Sequence, residues 1–117
     1  MTSSDVRFGV IGFGAWGKCH AGAINNTAGA QVAAVAAKSD KTWAEARELY
    51  PDAAVFNDYR HMLDQADIDV GHVVLPSYLH FEVAKAVLEA GKHLMLEKPM
   101  CLNIADCRAL AELAQQK

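Results

Sequence analysis

Apolar residues fall along this chain in two alternating patterns, short continuous runs and stripes at helical spacing. Val6 to Ile11 is a β-favouring run ending in Gly12, and Ala15 to Asn25 then carries Trp16, Cys19, Ala23 and Ile24 at spacings of 3, 7 and 8. That reads as strand, glycine turn and helix. Gln31 to Ala36 is continuously apolar after Gln31, as a strand covered on both faces requires. Ser39 or Asp40 caps a helix whose inward stripe is Trp43, Ala46, Leu49 and Tyr50, and which stops before Pro51. Ala54 to Phe56 is a brief strand, followed by a weaker helical stretch around Tyr59 to Leu63.

The second half is more sharply patterned. Val70 to Leu75 is an apolar strand ended by Pro76, which cannot donate to a central ladder. His80 to Ala90 places His80, Val83, Ala84, Val87 and Leu88 on one face and Glu82, Lys85 and Glu89 on the other, with Gly91 ending the helix. His93 to Leu96 reads as a further buried strand, and Asn103 caps a last helix with Cys107, Leu110, Ala111 and Ala114 inward. Strands alternating with helices imply parallel βαβ units with right-handed crossovers. The expected class is therefore α/β: one domain with a doubly wound parallel sheet of order 3-2-1-4-5. Its ligand crevice lies at the carboxyl ends of the first and fourth strands.

Composition narrows the partners. The 117 residues carry a formal charge of −3, with 11 basic and 14 acidic side chains and 52% apolar residues. A single core is feasible at this length, since roughly 65% of the unfolded surface can be buried. No basic cluster points to nucleic acid or an anionic membrane. The longest apolar stretch, Val32 to Ala37, is far short of the ~20 residues that span a bilayer, and the polar start Met1 to Asp5 is unlike a signal peptide. Cys19, Cys101 and Cys107 show no C-x-x-C spacing, which argues against a zinc site or a disulfide framework and for a reducing, cytoplasmic setting.

Gly12-Phe13-Gly14-Ala15-Trp16-Gly17 is an uninterrupted G-x-G-x-x-G between a predicted strand and a predicted helix. Gly12 permits the tight turn, Gly14 lets a pyrophosphate approach the backbone, and Gly17 lets helix and strand pack closely. Free N–H groups and the dipole at the helix start then hold the anion. The second strand ends Ala36-Ala37-Lys38-Ser39, without the Asp or Glu that an NAD site offers to the ribose hydroxyls. A carboxylate would repel a 2′-phosphate, whereas Lys38 and Ser39 suit one, so NADP is preferred over NAD. The competing reading leaves Lys38 solvated and lets Asp40 reach the ribose. The same missing carboxylate argues against a methyl-donor enzyme. Glu97-Lys98-Pro99 follows the last strand at the ligand edge, where a lysine can protonate or polarise a carbonyl oxygen; a surface ion pair is the plainer alternative.

These residues resemble the amino-terminal Rossmann domain of the glucose-fructose oxidoreductase, inositol dehydrogenase and MocA (Gfo/Idh/MocA) family. The resemblance rests on the glycine motif followed by His20, on Asp67-Ile68-Asp69-Val70, on Pro76 with His80, and on Glu89-Ala90-Gly91-Lys92-His93 running into Glu97-Lys98-Pro99. It covers essentially the whole chain and implies a cofactor site with Lys98 as the catalytic residue, beside nicotinamide and substrate and before a cis proline. The implied cofactor-binding positions are Gly12, Phe13, Gly14, Ala15, Trp16, Gly17, Ala37, Lys38, Ser39, Leu75, Pro76, Ser77, His80, Glu97 and Lys98. Two departures stand out. Leu75 replaces the usual Thr or Ser, with Ser77 as a substitute hydroxyl, and His72 replaces a branched apolar residue inside the fourth strand. His72 reads as a core or strand-end histidine, and His20, His61 and His93 as structural; none reads as a metal ligand. Cys107 reads as core, not nucleophile.

The resemblance implies NAD(P)-dependent hydride transfer on a sugar, cyclitol or related hydroxy/keto compound. Family members continue into a second α/β domain that covers the substrate, so residues 1–117 are expected to bind cofactor and to turn over substrate poorly by themselves. The alternative from a different class is a non-catalytic module that senses a dinucleotide or self-associates as a homo-oligomer.

Overall fold

The computed structural model describes residues 5–117, and residues 1–4, part of the polar start, lie outside the described residues. Strand β1 (Val6–Ile11) leads into α1 (Ala15–Asn25), β2 (Ala30–Ala36), α2 (Asp40–Leu49), β3 (Ala54–Phe56) and α3 (Tyr59–Gln65). Then come β4 (Val70–Val73), a 3-10 turn (Ser77–Leu79), α4 (His80–Glu89), β5 (His93–Leu96) and α5 (Ile104–Gln116). The five strands form one sheet of order β3-β2-β1-β4-β5, and every pairing is parallel. The expected doubly wound order is the observed one.

Side-chain alternation along the strands divides the core into two layers. Val10 and Val35 pack with Ala21 and Ile24 of α1 and Ala46 of α2 on one face. Ile11, Ala34, Ala36 and Val73 pack with Met62 and Leu63 of α3 and Val83 and Val87 of α4 on the other. A third cluster, Ala84, Leu88, Cys101 and Leu110, seats α5 on α4. Helices α3 and α4 lie directly on backbone: a methyl added at Gly9 would meet Met62 and Ile68, and one at Gly71 would meet Val87.

Several faces differ from the sequence expectation. In α1 the buried residues are Gly17, Ala21 and Ile24, while Trp16, Cys19 and Ala23 face outward. The reason is steric: a Cβ at Gly17 would collide with the carbonyl oxygen of Gly12, so the glycine is the point of closest approach. Residues four and seven positions on then face the sheet with it. In α2 Ala46 is buried and Trp43 and Tyr50 half-buried, but Leu49 is 55% exposed. In α5 Leu110 is buried, with Cys107 and Leu113 beside it, and Ala111 and Ala114 are exposed, because the helix rests on α4 along a narrow stripe. Strand β5 is a sheet edge, not a buried strand: Leu94 and Leu96 pack inward while His93 and Met95 are exposed. The fourth strand ends at Val73, two residues early, as the chain turns into Pro76 and the 3-10 segment. The helical face of α4 is buried as read.

Burial predicts sharply different costs of truncation at Met62 and Leu49. Met62→Ala, at a fully buried side chain, lowers the unfolding free energy by about 2–5 kcal/mol. Leu49→Ala changes it by less than about 0.5 kcal/mol. Urea denaturation of both variants checks this.

Candidate functional site

Parallel strands that diverge at a switch of winding direction leave a crevice at their carboxyl ends. Here that crevice is a cavity of ≈ 620 Å³ lined by the ends of β1, β2 and β4 and by the loop after β3. Its size falls in the range of small-molecule sites.

At its floor the chain leaves β1 through Gly12, whose φ of 100° is open to glycine and strained for other residues. A Cβ there would also collide with the carbonyl oxygen of Val74, so β1 and the end of β4 meet without space for a side chain. Gly14, which caps α1, has nothing near its missing Cβ. The first helix-type bond runs from Lys18 N–H to the Gly14 carbonyl, which leaves the N–H groups of Ala15, Trp16 and Gly17 outside the intrahelical ladder. No side chain caps this end and no acid lies in its first turn. Open space at Gly14, free donors and a positive dipole end together fit a pyrophosphate.

The cavity wall contains Gly12, Phe13, Gly14, Ala37, Lys38, Ser39, Leu75 and Pro76 from the sequence-derived set. Phe13 contributes backbone, since its ring is buried and packs edge-on against Tyr50 at 6.2 Å. Ala15, Trp16 and Gly17 form the adjoining first turn, and Ser77 lies in the 3-10 segment beside the wall. Lys38 is exposed at the rim. Ser39 is already engaged: its hydroxyl accepts from Thr42 N–H at 3.2 Å and lies 2.8 Å from the Thr42 hydroxyl, capping α2. Sequence reasoning missed the opposite wall of Asn57, Asp58, Tyr59, Arg60 and Glu82. Asp58 accepts from Arg60 N–H at 2.8 Å, and Arg60 lies 4.9 Å from the Tyr59 ring centre and 3.5 Å from Glu82. The signal available was the strand order, which puts the β3 loop beside the end of β2.

Glu97 and Lys98 lie at the end of β5, apart from the cavity wall. Glu97 N–H donates to the Val73 carbonyl at 3.1 Å, which extends the ladder to β4 by one bond. The Glu97 carboxylate accepts from Lys98 N–H at 2.9 Å and from His20 at 3.1 Å. The Lys98 amide chiefly, and His20 after it, hold this carboxyl below its ordinary range against the opposing effect of burial. The Lys98-Pro99 bond is cis. His80 is buried under this corner, with Nδ1 2.6 Å from the Pro99 carbonyl and Nε2 2.9 Å from the Leu75 carbonyl. It lies between two loops and presents neither nitrogen to the cavity. Burial, then the neighbouring Cys107, pushes the Cys101 thiol up to about 11, so it remains a thiol near neutral pH.

The oxidoreductase family with an NAD-binding Rossmann fold, Gfo/Idh/MocA, matches residues 6–117. The chain belongs to this family. An uncharacterised oxidoreductase of Escherichia coli K12, YdgJ, is 35% identical over 114 residues, covering 97% of this chain and 32% of that protein. Inositol 2-dehydrogenase of Salmonella typhimurium is 31% identical over 114 residues, covering 96% of this chain and 34% of that protein. The crystal structure of scyllo-inositol dehydrogenase from Lactobacillus casei, with NAD(H) and scyllo-inositol bound, superposes with a TM-score of 0.89 at 30% identity over 96% of this chain and 33% of that one. This Gfo/Idh/MocA chain spans about a third of the length of these relatives. No described helix is long and apolar enough to cross a membrane.

His80→Leu keeps bulk but removes both loop contacts, and is expected to lower stability by about 2–3 kcal/mol. Thermal unfolding in parallel with Met62→Ala measures it on a common scale.

Proposed function

We propose that this domain binds NADP(H) in preference to NAD(H), as the cofactor-holding part of an enzyme that interconverts a hydroxyl and a carbonyl on a sugar or cyclitol. The observation that carries the cofactor choice is the end of β2: Ala37, Lys38 and Ser39 line the cavity, and no carboxylate stands among them. The charge that the end of β2 itself brings to this rim is that of Lys38, which favours a 2′-phosphate over a bare ribose hydroxyl, with Asp58 and Arg60 facing it from the β3 loop. Because Ser39 is occupied as a cap, Lys38 is the principal determinant. The pyrophosphate rests on the N–H groups of Ala15 to Gly17, over the space left by Gly14.

A bound nicotinamide supplies the hydride donor or acceptor. The chain's own residues hold it and handle the proton. Lys98 is exposed; its backbone N–H donates to Glu97 and its positive charge also acts on that carboxylate, while the ammonium stands at the surface, where it can meet the substrate oxygen as charge develops there. Inositol dehydrogenases among the relatives support a polyol substrate. The exposed apolar side chains Met95, Met100, Leu102 and Ile104, close to this lysine in sequence, suit a surface that a further part of the enzyme covers.

Fluorescence titration is expected to give a lower Kd for NADPH than for NADH, and Lys38→Ala to weaken NADPH about tenfold while leaving NADH within twofold. Tighter binding of NADH by the parent chain overturns the preference. Residues 1–117 alone are expected to bind NADPH and to oxidise inositols poorly, as measured by cofactor absorbance.

A further inference from the structure

A buried histidine inside a parallel strand needs a partner, because an unpaired polar group in a core is costly. His72, in β4, is buried and lies on the α1 side of the sheet, beside Phe8. Its Nε2 is 2.8 Å from Nδ1 of His20 on α1, and Nε2 of His20 is 3.1 Å from Oε2 of Glu97. The other carboxylate oxygen of Glu97 accepts from Lys98 N–H at 2.9 Å. Nδ1 of His72 is buried without a partner.

The direction of this chain follows from what each atom can do. The Glu97 carboxylate only accepts, so Nε2 of His20 donates to it. If His20 also carried a proton on Nδ1, His72 would have to accept on Nε2 and keep its own proton on Nδ1, leaving a buried N–H without an acceptor. Orphaned buried N–H groups are the rarer and costlier kind. The less costly arrangement has one proton on each ring and leaves only an acceptor, His72 Nδ1, unpaired: His72 Nε2–H donates to His20 Nδ1, and His20 Nε2–H donates to Glu97. Burial first, and the His20 neighbour second, lower the pKa of His72, consistent with a neutral ring at that end.

We propose that His72 is a positioning residue that acts through His20 and Glu97 on the backbone of Lys98. By donating to His20 Nδ1 it keeps that nitrogen unprotonated, so that the single His20 N–H stays on Nε2, toward Glu97. The carboxylate, gripped from both sides, then holds the Lys98 amide and so the orientation of the catalytic corner. Because the role attributed to Lys98 rests on the cofactor reading above, the test separates the two.

In the 117-residue chain, His72→Gln keeps a donor at the reach of Nε2, whereas His72→Val fits the strand and removes it. Each variant is titrated with NADH and with ADP-ribose, which lacks the nicotinamide. Long-range proton–nitrogen NMR reads the His20 tautomer. The expected result is Nε2–H on His20 in the parent chain and in His72→Gln, and mixed tautomers in His72→Val. With this goes a loss of NADH affinity of about fivefold, the scale of one hydrogen bond, in His72→Val alone, with ADP-ribose unchanged. Equal losses for both ligands in His72→Val, or His20 signals and NADH affinity unaltered in it, overturn the positioning role. If the parent chain binds neither of these ligands nor NADPH, the cofactor reading fails, and the His20 tautomer alone then decides whether His72 fixes it.

Discussion

Gly12 lies where three chain segments meet. On one side its missing Cβ admits the carbonyl of Val74 at the end of β4, and its own carbonyl in turn lies against the missing Cβ of Gly17 on α1. No side chain larger than hydrogen fits at either place, so sheet, turn and helix close to backbone contact. That closeness aims the start of α1, with its unsatisfied N–H groups, into the space between β1 and β4. It also sets the rotation of α1 about its axis. Gly17, Ala21 and Ile24 face the sheet, and His20 is swung toward β4 and β5, where it meets His72 and Glu97. Anion site and histidine chain are thus two consequences of one steric condition.

The strand order and the place of the crevice were legible because they follow from signals that survive in one dimension: continuous apolar runs, a glycine motif between strand and helix, and Pro76 and Gly91 at element ends. The rotation of α1 was not. Bulk suggested that Trp16 points inward, but the contact is decided by the absence of a side chain at Gly17, and Trp16 is 69% exposed. Strand β5 misled for a related reason. Its composition suits burial, yet it stands at the sheet edge with one covered face. The wall formed by Asn57 to Arg60 was invisible because nothing local marks it; strand order alone brings that loop to the end of β2. Likewise His72 looked solitary until the turn of α1 supplied His20.

The site divides its labour by rigidity. The proposed pyrophosphate end is built from backbone, with Gly12 and Gly17 closed to any side chain and open space at Gly14. In the proposed reading the ribose end depends on Lys38, an exposed side chain at the cavity rim. The proposed catalytic end, at Lys98, is held from beneath by His80 and from the side by Glu97 and His20. This leaves the Lys98 ammonium exposed, its backbone engaged with Glu97. The role proposed for Lys98 requires positioning more than burial.

A crystal structure of this chain with NADPH tests the account most directly. The predicted result has the pyrophosphate on the N–H groups of Ala15 to Gly17, the 2′-phosphate within hydrogen-bonding distance of Lys38, and the nicotinamide facing Lys98. A dinucleotide bound elsewhere, or one whose nicotinamide turns away from Lys98, would contradict it.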